Sequence, residues 1–198
     1  MSETETIYRL RTLPKDLGVA LVTLVALAAG FLLFLRTDGR TQQFQAEGAP
    51  FRISYPAGWS SSDSLQNVLL KVVDPQTDGA FKTSLTVESR ELDPQSPPTL
   101  QTLLDRRVEQ RGQVTGYHFL ADQDAVVGGA KSLESEYAYV VQPIDQPRRA
   151  ALPVVVRARE YIVVTQDRAY YITLAAPESE FARASARFDQ IIKTVQVQ

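Results

Sequence analysis

Cysteine is absent from this chain, and histidine and tryptophan occur once each, as His118 and Trp59. Without cysteine there can be no disulfide, thiolate zinc site, cysteine nucleophile, covalently attached haem or iron–sulfur cluster. The lipid anchor of bacterial lipoproteins needs a cysteine to carry it and is excluded for the same reason. A single histidine rules out a histidine-rich metal centre. Excess positive charge is also missing. Lys and Arg number 21 against 23 Asp and Glu, a formal charge of −2, so the clustered basic face that DNA or RNA requires is not expected. Neither G-x-S-x-G, a glycine-rich phosphate loop nor H-E-x-x-H occurs, and hydrolase and nucleotide-binding chemistry lack their minimum parts. No catalytic residue, cofactor or metal ligand is assigned, and the expectation is a protein that is not an enzyme.

Charge is missing altogether from 17–35, LGVALVTLVALAAGFLLFL. At about 1.5 Å of rise per residue, nineteen residues match a hydrocarbon core of roughly 30 Å. The expected organisation is a cytoplasmic tail over 1–16, a transmembrane helix over 17–35, a linker over 36–50 and a soluble domain over 51–198. A cleaved signal peptide has a shorter apolar region, about 7–15 residues, and a small-x-small cleavage site. Here the run ends in Phe34-Leu35-Arg36-Thr37-Asp38, so a retained anchor in contact with the lipid bilayer is expected. Arg9, Arg11 and Lys15 precede the span and Arg36 and Arg40 follow it. With the short tail, this bias places the N-terminus inside and the domain outside the cytoplasmic (inner) membrane, as a single-pass protein. Gly18, Ala26 and Gly30 are small enough for close packing against another membrane helix.

The remainder reads by period. Thr37 to Pro50, rich in Gln and Gly, looks like a tether without structure of its own. In FRISYPAGW, Phe51, Ile53 and Tyr55 alternate with Arg52 and Ser54 before Pro56 and Gly58 break the strand. Segment 67–73 is a short apolar strand. Over 81–92, Phe81, Leu85 and Val87 fall on one face and Lys82, Ser84, Thr86, Glu88 and Arg90 on the other. Leu100, Leu103, Leu104 and Val108 change to helical spacing over 99–111, with Arg106, Arg107, Glu109 and Arg111 opposite and Pro97-Pro98-Thr99 as the start. Strands resume over 117–127, 131–142, 154–166 and 169–175, and a helix closes the chain near 178–194. The fold class is therefore α+β, a mainly antiparallel sheet flanked by helices.

The opening F-R-I-S-Y-P-A-G-W and the closing R-A-Y-Y-I-T-L-A-A-P-E-S-E-F with F-D-Q-I-I-K-T-V resemble the PsbP-like family. That family is named for the extrinsic lumenal subunit of photosystem II, and bacterial envelope proteins and a nuclear import factor that binds the Ran GTPase share its fold. The resemblance covers 44–198 and implies an α/β/α sandwich with a non-enzymatic role in binding, assembly or stabilisation. None of the PsbP ion-binding residues maps onto this chain. The expected function is a membrane-anchored accessory or assembly subunit whose extracytoplasmic domain binds a membrane protein complex, for example a photosynthetic or respiratory one. The alternative is an envelope carrier or sensor holding a small apolar ligand between sheet and helices.

Individual residues refine this. Trp59 is expected in the core. His118, Asp122 and Asp124 share strand parity and so one face, a set resembling metal ligands, although a solvated edge explains them better. Glu134 and Glu136 on one strand and Arg157 and Arg159 on another suit cross-strand ion pairs, each contributing about 0.2–1 kcal/mol, better than acid–base catalysis. Tyr161, Tyr170 and Tyr171 join Tyr137 and Tyr139 on the three C-terminal strands, with Tyr170 and Tyr171 on opposite faces. The loop 143–153 carries three prolines with Arg148-Arg149. Arg148, Arg149, Tyr137 and Tyr139 are the candidate docking surface, since Tyr and Arg concentrate at interface centres.

Overall fold

The computed structural model describes residues 14–38, 40–48, 50–62, 68–142 and 152–197, with the side chains of the first helix described over 17–32. The chain divides into two units, Met1–Arg40 and Thr41–Gln198. In the first, α1 (Pro14–Asp38) is a helix of 25 residues, about 37 Å long. Its large apolar side chains, from Leu17 to Leu32, are 60–70 % exposed. Among the described residues no helix is long and apolar enough to cross a membrane; residues 33–35 of the uncharged run 17–35 lie outside the described side chains.

The second unit begins with a strand where the sequence suggested a bare tether. β1 (Thr41–Gln45) pairs antiparallel with β2 (Phe51–Pro56), with Phe44 opposite Ile53. Phe44 and the buried Ala46 pack into the core, a weak apolar signal that the flanking glutamines conceal. β10 (Gln196–Val197) pairs with the opposite edge of β2 and completes a small three-stranded sheet.

The main sheet has seven antiparallel strands. In spatial order they are β3 (Ser60–Ser61), β4 (Val68–Val73), β5 (Ser84–Glu91), β9 (Arg168–Pro177), β8 (Val154–Val164), β7 (Ala130–Val141) and β6 (His118–Val127). β6 and β7 meet at Gly128-Gly129, whose φ values of 59° and 83° suit a hairpin turn. A Cβ on Gly128 would also come within 3.0 Å of the Val195 carbonyl oxygen, so glycine is required there for space as well as for conformation.

Two helices cover opposite faces. α2 (Leu100–Arg111) is capped by Thr99, whose hydroxyl accepts from the Thr102 amide at 3.1 Å. Its Leu103 and Leu104 pack on Leu133, Ile162, Ala169 and Tyr171. α3 (Phe181–Ile192), entered through a 3-10 turn at Glu178–Glu180, packs with the small sheet on the other face. The core there joins Phe51, Ile53, Trp59, Leu85, Val87, Tyr170, Ile172 and Phe188. Trp59 is core, and Tyr170 and Tyr171 point to opposite faces as their adjacency requires. Phe81 departs from expectation. The strand starts only at Ser84, and Phe81 packs with Tyr137 and Tyr139 on the α2 face, not with Leu85 and Val87. The result is a mainly antiparallel sheet with helices packed on it, as the period reading expected, in the helix–sheet–helix layering that the PsbP-like resemblance implied.

Candidate functional site

α2 covers only part of its face. Beyond its last residue, Arg111, a cleft of about 360 Å³ opens over β4, β5, β9 and β7, walled by Phe81, Tyr117, Tyr137 and Tyr139. Strand register sets its floor. Lys71, Thr86, Thr173, Glu160 and Ser135 form one row across five strands, so their side chains share the α2 face. Glu160 is only 1 % exposed and is held by an ion network. Its Oε1 accepts from Arg107 Nε at 3.3 Å. Its Oε2 accepts from Arg107 Nη2 at 3.2 Å, from Thr173 Oγ1 at 2.8 Å and from Arg111 Nη2. Arg107 Nη2 also donates to Glu88 at 2.9 Å. The guanidinium carbons of Arg107 and Arg111 each lie 4.2 Å from a ring centroid, that of Tyr171 and of Tyr137 respectively.

The two arginines differ electrostatically. Burial opposes the charge of Arg107, but the Glu160 and Glu88 carboxylates outweigh it and hold its pKa above the ordinary value. For Arg111, burial is not overcome by Glu160, the Arg107 charge adds repulsion, and the pKa falls below the ordinary value. Arg111 Nη1 is buried with no acceptor. Burial similarly raises the pKa of Tyr117 and Tyr139.

The sequence reading placed Arg107 and Arg111 on the polar side of the helix, and the structure overturns that. They continue the stride of four from Leu103 and face the sheet, because Glu160 awaits them there. A signal existed: Glu160 occupies the strand parity of the buried Val156, Ala158 and Ile162.

On the α3 face, Glu134, Glu136, Arg157 and Arg159 form the expected cross-strand pairs, with Glu136 in register with Arg159. Arg157 Nη2 donates to Glu136 at 2.8 Å, Arg159 Nε donates to Glu136 at 2.9 Å, and Arg159 Nη1 donates to Asp189 of α3 at 2.9 Å. Tyr161 donates its hydroxyl to Glu134 at 2.8 Å; burial first, then that bond, raises its pKa. These groups tie α3 to the sheet. Burial works against ionised Glu136, but the bonds from Arg157 and Arg159 prevail and hold its pKa below the ordinary 4.5. A depressed carboxylate pKa contributes stability that is fully present above about pH 5 and lost as pH falls through the folded value. Urea unfolding should therefore show the difference in stability between wild type and Glu136→Gln shrinking as pH falls from 7 to 3. A constant difference would show that the charge of Glu136 contributes nothing.

His118, Asp122 and Asp124 do not share a face. A β-bulge inserts Leu120 between the pairs Phe119–Tyr137 and Ala121–Glu136, which reverses parity and puts His118 on the α3 face and the aspartates on the α2 face. Among the described residues no three His, Cys, Asp or Glu side chains are placed to hold a metal ion. Of the docking candidates, Tyr137 is 5 % exposed and packs between Tyr117 and Tyr139, at centroid distances of 5.7 and 6.1 Å. Tyr137 and Tyr139 thus line the cleft. Arg148 and Arg149 lie outside the described residues. Gly18, Ala26 and Gly30 lie in α1, and a Cβ on either glycine would meet nothing within 4 Å.

No protein-family model matches the chain, and none of the curated proteins compared matches it. Solved structures do. Cyanobacterial PsbP (CyanoP) from Synechocystis sp. PCC 6803 superposes with a TM-score of 0.59 at 14 % identity, over 80 % of this chain and 92 % of that one. LpqN of Mycobacterium tuberculosis, involved in cell envelope biogenesis, gives 0.55 at 12 % identity, over 80 % and 92 %. The Ran-binding protein Mog1p of Saccharomyces cerevisiae gives 0.50 at 13 % identity, over 80 % and 95 %. At such identities the likeness is one of fold, and the fold is PsbP-like.

Proposed function

We propose that this chain is a membrane-anchored, non-enzymatic accessory or assembly subunit. Residues 17–35 hold it in the cytoplasmic (inner) membrane, with the N-terminus inside, and its PsbP-like domain binds a membrane protein complex on the outer side. The observation that carries this reading is α1. Nine large apolar side chains from Leu17 to Leu32 are exposed, and the uncharged run continues to Leu35. Burying each is worth about 1.5–3 kcal/mol, so leaving all nine in water forgoes more than about 10 kcal/mol, as much as a typical domain's whole stability. A lipid bilayer or a partner's apolar helices remove that cost. Ala26 and Gly30, four residues apart with Gly18 two strides earlier, present a small-residue stripe suited to close helix approach. A fold shared with a Ran-binding protein and an envelope-biogenesis protein supports a role exercised through binding.

Tagged full-length chain purified from mildly solubilised native membranes should bring down a membrane complex in stoichiometric amount, and deletion of 14–38 should abolish the association. Recovery as a lone monomer or homodimer would sink the reading. So would undiminished association of a chain lacking α1.

A further inference from the structure

We propose that the cleft beyond the end of α2 binds a small organic anion with a flat apolar body, such as an aromatic carboxylate. At about 360 Å³ it stands at the small end of ligand sites. Its walls specify the body. The rings of Tyr117, Tyr137, Tyr139 and Phe81 offer aromatic surface, and a bare inorganic ion would leave that surface unused.

Its charges specify the head. Glu88, Glu160, Arg107 and Arg111 pair among themselves, and their formal charges cancel. Lys71, in the floor row, has a side chain with no hydrogen-bond or ion-pair partner among the described residues, so its ammonium adds one unpaired positive charge to the cleft lining. An anion entering the cleft pairs with the Lys71 ammonium, and Thr86, opposite Lys71 in the register row, supplies a hydroxyl beside it. A purely apolar ligand, the kind in the alternative reading of the sequence, would desolvate the Lys71 ammonium and return no hydrogen bond. The charge on the cleft therefore favours an anionic ligand over a purely apolar one. The inference requires neither membrane attachment nor a protein partner, and it stands if both fail.

The probe is 2-naphthoate, titrated calorimetrically into the full-length chain in detergent micelles, with empty micelles as the blank. The neutral amide of the same shape, 2-naphthamide, is the control. Saturable binding of naphthoate is expected, with naphthamide about tenfold weaker, the loss of one charge-assisted contact. Lys71→Met should weaken naphthoate to a similar extent and leave naphthamide unchanged, whereas Lys71→Arg should retain the preference for the anion. The Lys71 side chain has no bond to lose among the described residues, and the unfolding midpoint reported by Trp59 should stay at the wild-type value. Should the Met variant fail to fold, the naphthoate-to-naphthamide ratio of the wild type still decides. The proposal is overturned if naphthoate shows no saturable binding at millimolar concentration, if naphthamide binds equally, or if Lys71→Met binds naphthoate as the wild type does.

Discussion

Glu160→Ala is expected to destabilise the domain by about 3–5 kcal/mol, because it removes one partner from a buried ion network and strands the others. Glu160 accepts four hydrogen bonds, two from Arg107 and one each from Arg111 and Thr173. Arg107 keeps Glu88 at 2.9 Å. Among the described residues Arg111 keeps no carboxylate partner, and its Nη1 is already without an acceptor. Most of the cost should therefore be the uncompensated charge of Arg111. It follows that Glu160→Met combined with Arg111→Met, which removes both charges and fills similar volume, should cost less than Glu160→Ala alone. Urea unfolding of the full-length chain, followed through the fluorescence of the buried Trp59, measures both variants. A loss below about 1 kcal/mol for the single variant, or a double variant costing as much as Glu160→Ala or more, would show that the network contributes no more than exposed pairs do.

The network also marks where sequence reading stopped. Alternation at Phe51, Ile53 and Tyr55, and helical stride at Leu100, Leu103 and Leu104, made a mainly antiparallel α+β sheet with packed helices legible, since each pattern reflects one buried face. The cross-strand ion pairs around Glu136 and Arg159 followed from parity in the same way. Parity failed where a residue is inserted or a strand begins late. The bulge at Leu120 separated His118 from Asp122 and Asp124, and the start of β5 at Ser84 sent Phe81 to the other face. β1 escaped notice because Phe44 is the only large apolar side chain in Thr41–Gln45. The cleft was least legible, because a period reading counts Arg107 and Arg111 as solvent-facing. Their burial depends on Glu160, a residue 53 positions from Arg107, and such pairing becomes visible only once strands are in register.

The second large effect concerns α1, on which the functional account rests. An arginine at the centre of a membrane helix costs about 2.5–3.5 kcal/mol of insertion, against a gain of about 0.3–0.6 for each Leu or Val. Val22→Arg with Val25→Arg places two such charges one turn apart near the middle of 17–35, a combined cost of roughly 5–7 kcal/mol. Val22→Leu with Val25→Leu changes the same positions without charge. The direct measurement is alkaline carbonate extraction of native membranes carrying each full-length chain, with the supernatant and pellet quantified. Wild type and the leucine pair should remain in the pellet, and the arginine pair should pass to the supernatant. Release of the wild-type chain by carbonate, or retention of the arginine pair, would contradict a chain held in the bilayer by α1.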